Sequence, residues 1–177
     1  MAELCAEQGY EATKIADVVS RAHVARKTLY DNFSGKEELF LAAFDVTVTE
    51  AEALVVAACE AIDAEDWEAR TEAGLRVLLE YVAAHPAEAK LCLIEAPAAS
   101  PESAARYEAA LEGFIKQLRE AAPTGTGRPA TLEEALVGGT AWIVQREVRR
   151  DAVDKATDLL PELAQFVISP YRNVGKR

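Results

Sequence analysis

Along most of the chain apolar residues recur at spacings of three and four, and the strict alternation that marks a half-buried strand is almost absent. The pattern predicts an all-α fold. It breaks at Gly9, at Ala22-His23, at Ser34-Gly35, near Asp63 to Asp66, at His85-Pro86, from Ala96 to Pro101, from Pro123 to Pro129 and near Asp151, where turn-forming and helix-ending residues gather. Residues 2 to 8 read as the end of a helix with no N-cap before it, so the chain is expected to begin within an element whose start is missing.

Two short helices follow, Lys14 to Ala22 behind a Thr13 cap and Ala25 or Arg26 to about Phe33. A long helix then starts behind Ser34, with Glu37 completing a capping box, and runs towards Ile62. Further helices are expected from about Asp66 to His85, Pro86 to Ile94, Pro101 to Ala121, Thr131 to Arg150 and Asp154 to Ser169, the last kinked or restarted at Pro161, which has no N–H to donate. "APTGTGRPAT" is the one stretch that reads as a flexible linker.

In the first pair of helices Ile15, Val18, Val19 and Ala22 line one side, Val24 bridges the turn, and Leu29 and Phe33 line the next helix. Two helices of about two turns whose apolar sides converge in this way form a helix-turn-helix. Arg26, Lys27, Thr28, Tyr30, Asp31 and Asn32 are left facing outward, a set able to reach phosphates and base edges in a major groove.

Charge sharpens this reading. The chain of 177 residues has a net charge of −11, which alone argues against a nucleic-acid partner. Yet from Thr13 to Lys36 five basic residues (Lys14, Arg21, Arg26, Lys27, Lys36) face two acidic ones, so the rest is more acidic still and would repel DNA everywhere but at this island. The three cysteines are far apart, which suits reduced thiols. No apolar run spans a bilayer and the N-terminus is acidic, so a cytoplasmic protein without membrane contact is expected. No metal-ligand or cofactor motif is present, and Cys92 with His85 forms no recognised nucleophile-base pattern, so no catalytic residue is assigned and no enzyme is expected.

The stretch "GYEATKIADVVSRAHVARKTLYDNFSGKEELF" resembles the DNA-binding domain of the TetR family of bacterial transcriptional regulators. The Gly-aromatic end of the first helix, the Thr before the second, Thr-Leu-Tyr with Phe three residues on, and Lys-Glu-x-Leu opening the fourth are in register. The resemblance covers about the first quarter of the chain. It departs from the family's habit at His23 (usually Gly), Ala25 (usually Ser), Asn32 (more often His or Tyr) and Lys14 (more often Ser or Thr), and it lacks the basic arm before the first helix.

The resemblance implies a DNA-binding domain over 1–46 and a helical ligand-binding and dimerisation domain over 47–177. Expected DNA contacts are Thr13, Lys14, Ala25, Arg26, Lys27, Tyr30, Asn32 and Lys36. The implied function is a repressor that binds a pseudo-palindromic double-stranded DNA operator as a homodimer and is released by a small-molecule effector, with the long helix after Ser34 as transmitter. Candidate effector contacts are Tyr81, Cys92, Glu95, Tyr107, Phe114, Trp142, Gln145 and Arg146, with Trp67 and His85 also weighed. Leu136, Gly139, Ile143, Leu159, Leu163, Phe166 and Val167 are expected at the dimer interface, where a close helix approach would offset the helix-weakening Gly138 and Gly139. The alternative is a helical adaptor that binds only protein.

Overall fold

A computed structural model describes residues 1–124 and 128–172, so the middle of the expected linker, Gly125 to Gly127, and the last five residues of the second expected domain lie outside the described residues. Ten α-helices are assigned among the described residues, with no strand: α1 Ala2–Ala12, α2 Ile15–Ala22, α3 Arg26–Asn32, α4 Lys36–Glu60, α5 Trp67–Ala84, α6 Pro86–Lys90, α7 Ala96–Ala99, α8 Pro101–Ala121, α9 Leu132–Arg149 and α10 Leu160–Arg172.

The boundaries follow from local chemistry. Asp66 Oδ1 accepts the Ala69 N–H at 2.9 Å and so caps α5. Pro86 and Pro101 open α6 and α8, where a missing N–H costs nothing. Ser100 and Ser103 cap α8 reciprocally, backbone to hydroxyl, at 2.9 and 3.2 Å.

Three expectations are corrected. Thr13 is not the cap of α2; Lys14 holds that position, and its N–H donates to Asp17 Oδ2 at 3.0 Å. The capping box expected at α4 does not form: the N-cap is Gly35, and Glu38, not Glu37, accepts from the N–H and hydroxyl of the preceding Ser34 at 2.7 and 2.6 Å. The segment from Ala96 to Pro101, read as a break, contains α7. The expected restart of the last helix at Pro161 is found, where a 3₁₀ stretch, Val153–Leu159, gives way to α10.

Between α6 and α7 the chain runs through a π-helical turn, Leu91–Glu95. Such a turn leaves a carbonyl out of the α ladder. The Gln145 side-chain amide donates to Leu93 O, whose helical donor four residues on would be Pro97, which has no N–H.

Three apolar clusters hold the helices together. Leu4, Val18 and Leu29 join α1 to α3, with Ile15, Val19, Phe33 and Leu39 packed around them. Val24 and Ala22, expected to share this core, are exposed. Cys5, Tyr10, Phe40, Phe44, Leu91 and Ala96 tie α1 and α4 to the π turn. Leu79, Val144, Val148 and Leu163 lie at the centre of the remaining bundle.

Candidate nucleic-acid interface

The turn between α2 and α3 is made by His23 in the left-handed conformation, φ 53 and ψ 35, where glycine is the unstrained choice. The His23 and Val24 N–H groups return to Ser20 O and Val19 O, closing the end of α2. The chain then enters α3, whose seven residues expose six side chains; only Leu29 points inward. The outward surface carries Arg26, Lys27, Thr28, Tyr30, Asp31 and Asn32. The Arg26 guanidinium lies 5.8 Å from the centroid of the Tyr30 ring. Asn32 donates to Thr28 O at 2.8 Å, which leaves its amide oxygen free. Lys14 and Ala25 are exposed beside this surface.

Two of the expected contacts have other partners. Thr13 is buried, 1% exposed, and its hydroxyl donates to Gly9 O at 2.8 Å, so it holds the corner between α1 and α2 and has no open path to a phosphate. Lys36 is half-buried; its ammonium donates to Tyr10 O at 3.0 Å and Glu11 O at 3.4 Å and lies 4.0 Å from the Tyr10 ring centroid. One of its three N–H donors remains for another acceptor. Tyr10, which sequence reasoning did not single out, is thus the residue behind this corner of the interface. Its only signal was the Gly-aromatic pair.

On the opposite side of α2, Arg21 reaches α1 with bonds to Glu3 at 3.0 Å and Glu7 at 2.8 Å. The Glu7 carboxyl is lowered by its bond to Arg21. Arg21 is therefore engaged in fixing α2 to α1, although it counts towards the basic island.

This geometry has counterparts. Residues 2–43 match the family described as bacterial regulatory proteins, tetR family. The match covers α1, the helix-turn-helix and the start of α4, about a quarter of the chain. A further match is the uncharacterised HTH-type transcriptional regulator YezE of Bacillus subtilis (strain 168), 44% identical over 41 residues, 23% of this chain and 21% of that relative. The likeness therefore spans about a fifth of that relative's length. Beyond the TetR-family segment the fold carries the comparison: the fatty acid degradation regulator FadR from Bacillus halodurans superposes with a TM-score of 0.84 over 99% of this chain and 95% of that one, at 18% identity. At that identity the likeness is one of fold.

The expected effector residues of this chain make contacts within the chain. Tyr81 is buried and donates to Glu50 Oε2 at 2.9 Å, joining α5 to α4, and its ring lies 4.4 Å from that of His85. Burial and the Glu50 carboxylate both push its hydroxyl above the ordinary tyrosine range. Cys92 and Tyr107 pack against the Phe40 and Phe44 cluster. Burial pushes the Cys92 thiol up to about 12, the reverse of what an activated nucleophile needs.

Glu95 accepts the Tyr10 N–H at 2.7 Å, and Gln145 is taken up by the π turn. Arg146 bonds Glu147 at 2.8 Å and lies 5.6 Å from the exposed ring of Trp142. Phe114 is half-buried. The Trp67 ring meets that of Tyr171 at a tilt of 56°, with centroids 4.7 Å apart.

Two clefts lie elsewhere. One of about 430 Å³ is formed by α1, α6 and the corner after α9, with Glu3, Lys90 and Asp151 on its walls. Another of about 620 Å³ lies beside the start of α4, with Lys36, Asp45 and Arg106. None of the expected effector residues lines either.

The expected dimer face also divides. Leu136, Leu163 and Val167 are 2%, 0% and 4% exposed and face the chain's own core, so they leave no surface for a second copy. Ile143 and Leu159 pack half-buried against the same core. Open surface is left at Gly138, Trp142 and Phe166, with Gly139 beneath the Phe166 ring. Among the described residues no helix is long and apolar enough to cross a membrane, and no cluster of metal-ligating side chains occurs.

Proposed function

We propose that the chain is a transcriptional regulator, acting as a repressor that binds a pseudo-palindromic DNA operator as a homodimer and is released by a small molecule. The observation that carries this reading is α3, a helix that buries one side chain and offers Arg26, Lys27, Tyr30 and Asn32 to solvent together. Lys14 stands to one side and Lys36 to the other. In a paired assembly two such helices would enter successive major grooves about 34 to 36 Å apart. Residues 1–46 form the DNA-binding part and 47–177 the effector and pairing part, with α4 running through the boundary.

Pairing is assigned to the open side of α9 and α10, around Gly138, Gly139, Trp142 and Phe166. An exposed Trp and Phe over a small-residue stripe offer apolar area that a second copy would bury. The effector is assigned to the helices of the second part, α5, the π turn, α8 and α9, which carry the candidate contacts Tyr81, Cys92, Tyr107, Phe114 and Trp142. It would act by its difference in affinity between the form whose α3 helices fit the operator and the form in which they do not. The similarly folded FadR is named for fatty acid degradation, so acyl-bearing molecules are the first class to screen.

The test is selection from a random double-stranded DNA pool by the full chain, beside the Lys27→Ala/Tyr30→Ala variant. Enrichment of a palindromic site that the variant fails to retain supports the reading. No enrichment at low salt removes it and brings the protein-binding adaptor forward.

A further inference from the structure

Tyr10 is gripped at both ends of its peptide. Gly9 interrupts α1 with φ 81 and ψ 160, a region confined almost entirely to glycine, so the Tyr10 N–H falls outside the helical ladder. Glu95 Oε2 accepts that N–H at 2.7 Å, from a position 85 residues away on the π turn. The single turn from Tyr10 to Thr13 therefore begins at a carboxylate. It ends at a cation, because Lys36 Nζ donates to the carbonyls of Tyr10 and Glu11 and covers the Tyr10 ring. A negative group at the start and a positive group at the end both complement the dipole of the turn.

Glu95 sits among the helices to which the effector is assigned, and Lys36 opens α4 beside the proposed DNA surface. We propose that Glu95 is a positioning residue for DNA binding: acting through the Tyr10 to Ala12 turn, it sets where the Lys36 ammonium stands and so couples the π turn to one phosphate contact. The proposal rests on the DNA-binding reading above.

The physical reason is that Tyr10 is buried, 7% exposed, and a buried N–H left without an acceptor is costly. If Glu95 withdraws, the turn must shift to satisfy that N–H. Its carbonyls shift with it, and the Lys36 ammonium, held by two of them, follows. Displacement of the π turn by a bound effector would act along the same route, since Cys92 and Leu91 of that turn pack on Phe40 and Tyr10. The only covalent connection in this route is the short turn itself.

The test uses the full chain and a duplex that the unaltered protein has retained from a random pool. Affinity is measured against salt for Glu95→Leu, Glu95→Gln, Lys36→Ala and the Lys36→Ala/Glu95→Leu double variant. Glu95→Ala replaces the leucine variant if that one does not fold. Losing one phosphate contact lowers the slope of log affinity against log salt by about 0.9. That fall is expected for Lys36→Ala and for Glu95→Leu, with no further fall in the double variant.

Glu95→Gln, whose amide oxygen still accepts from Tyr10, keeps the slope. Hydrogen exchange of the Tyr10 amide without DNA quickens in Glu95→Leu and not in Glu95→Gln. A Glu95→Leu protein that binds DNA with the full slope, or a double variant in which the two falls add, overturns the proposal alone. Unaltered protein that retains no duplex overturns the DNA-binding reading, and this proposal with it.

Discussion

A Cβ built on Gly139 would stand 3.1 Å from Cζ of Phe166, so the ring on α10 fills the space that α9 leaves empty at this glycine. One turn face away, a Cβ on Gly138 would meet nothing within 4 Å. The two adjacent glycines therefore respond differently to the same change. Gly138→Ala is expected to stabilise the dissociated chain by up to about 1 kcal/mol through helix propensity alone. Gly139→Ala gains the same propensity and loses it again in displacing Phe166, so its urea midpoint stays near that of the parent. Parallel urea titrations at a dilution where the chain is monomeric check both.

Phe166 and Trp142 are 40% and 57% exposed and flank that contact. If they form the pairing face, Trp142→Glu and Phe166→Glu convert the assembly to monomers at micromolar concentration while leaving the helical circular dichroism unchanged. Sedimentation velocity reads this directly. A dimer that persists in both variants places the pairing face elsewhere.

Gly9 is the clearest conformational constraint in the chain. At φ 81 and ψ 160 any side chain is strained, and Gly9→Ala is expected to cost about 1 to 3 kcal/mol in chemical denaturation. Space is not the obstacle, since the nearest atom to the added Cβ would be the Glu95 carboxylate at 3.8 Å.

Phe40, 0% exposed, packs its ring 4.7 Å from that of Tyr10 at the meeting point of α1, α4 and the π turn. Phe40→Ala leaves a cavity there and is expected to cost about 3 to 5 kcal/mol. Leu54→Ala on the open side of the same helix, where Leu54 is 41% exposed, is expected to stay within about 0.5 kcal/mol. Thermal unfolding of the pair separates the two faces of α4.

Alkaline pH should weaken the fold. Burial raises the Cys5 and Cys92 thiols and the Tyr10, Tyr81, Tyr107 and Tyr171 hydroxyls above their usual ranges. Each keeps its proton in the folded chain after the unfolded chain has lost it. Their contribution is therefore complete below about pH 9 and falls away as pH rises, for Cys92 through about 12. No single group contributes a slope above about 1.4 kcal/mol per pH unit. Urea midpoints from pH 8 to 11 should fall steadily, and iodoacetamide at pH 8 should leave Cys92 unmodified until the chain is unfolded.

The helix-turn-helix was legible because its information is local. Breaks at Gly9 and Ser34-Gly35, the apolar spacing of Val18 and Leu29, and the polar run of α3 all lie in one short continuous stretch of the chain. Thr13 misled for a physical reason: a threonine before a helix is a good cap, but here its hydroxyl is drawn back to Gly9 O by the kink. Glu95 and Gln145 read as polar groups in search of a ligand. They are instead consumed by backbone groups that Gly9 and Pro97 leave without a helical partner, pairings across long stretches of chain that no local pattern records. Burial on the last two helices was equally hidden, since Leu136 and Phe166 share a helical spacing and only packing tells which faces inward.

The π turn at Leu91–Glu95 also sets a phase. Each residue advances an α-helix by about 100°, so accommodating an extra residue in one turn rotates everything after it by roughly that angle relative to what came before. Glu95 lies at the downstream edge of the insertion. Were the turn to relax to regular α-helix, the carboxylate would sweep off α1 and the Tyr10 N–H would lose its partner without any side chain being replaced. The extra residue in this turn thus fixes the phase at which the Glu95 carboxylate meets the first helix of the chain.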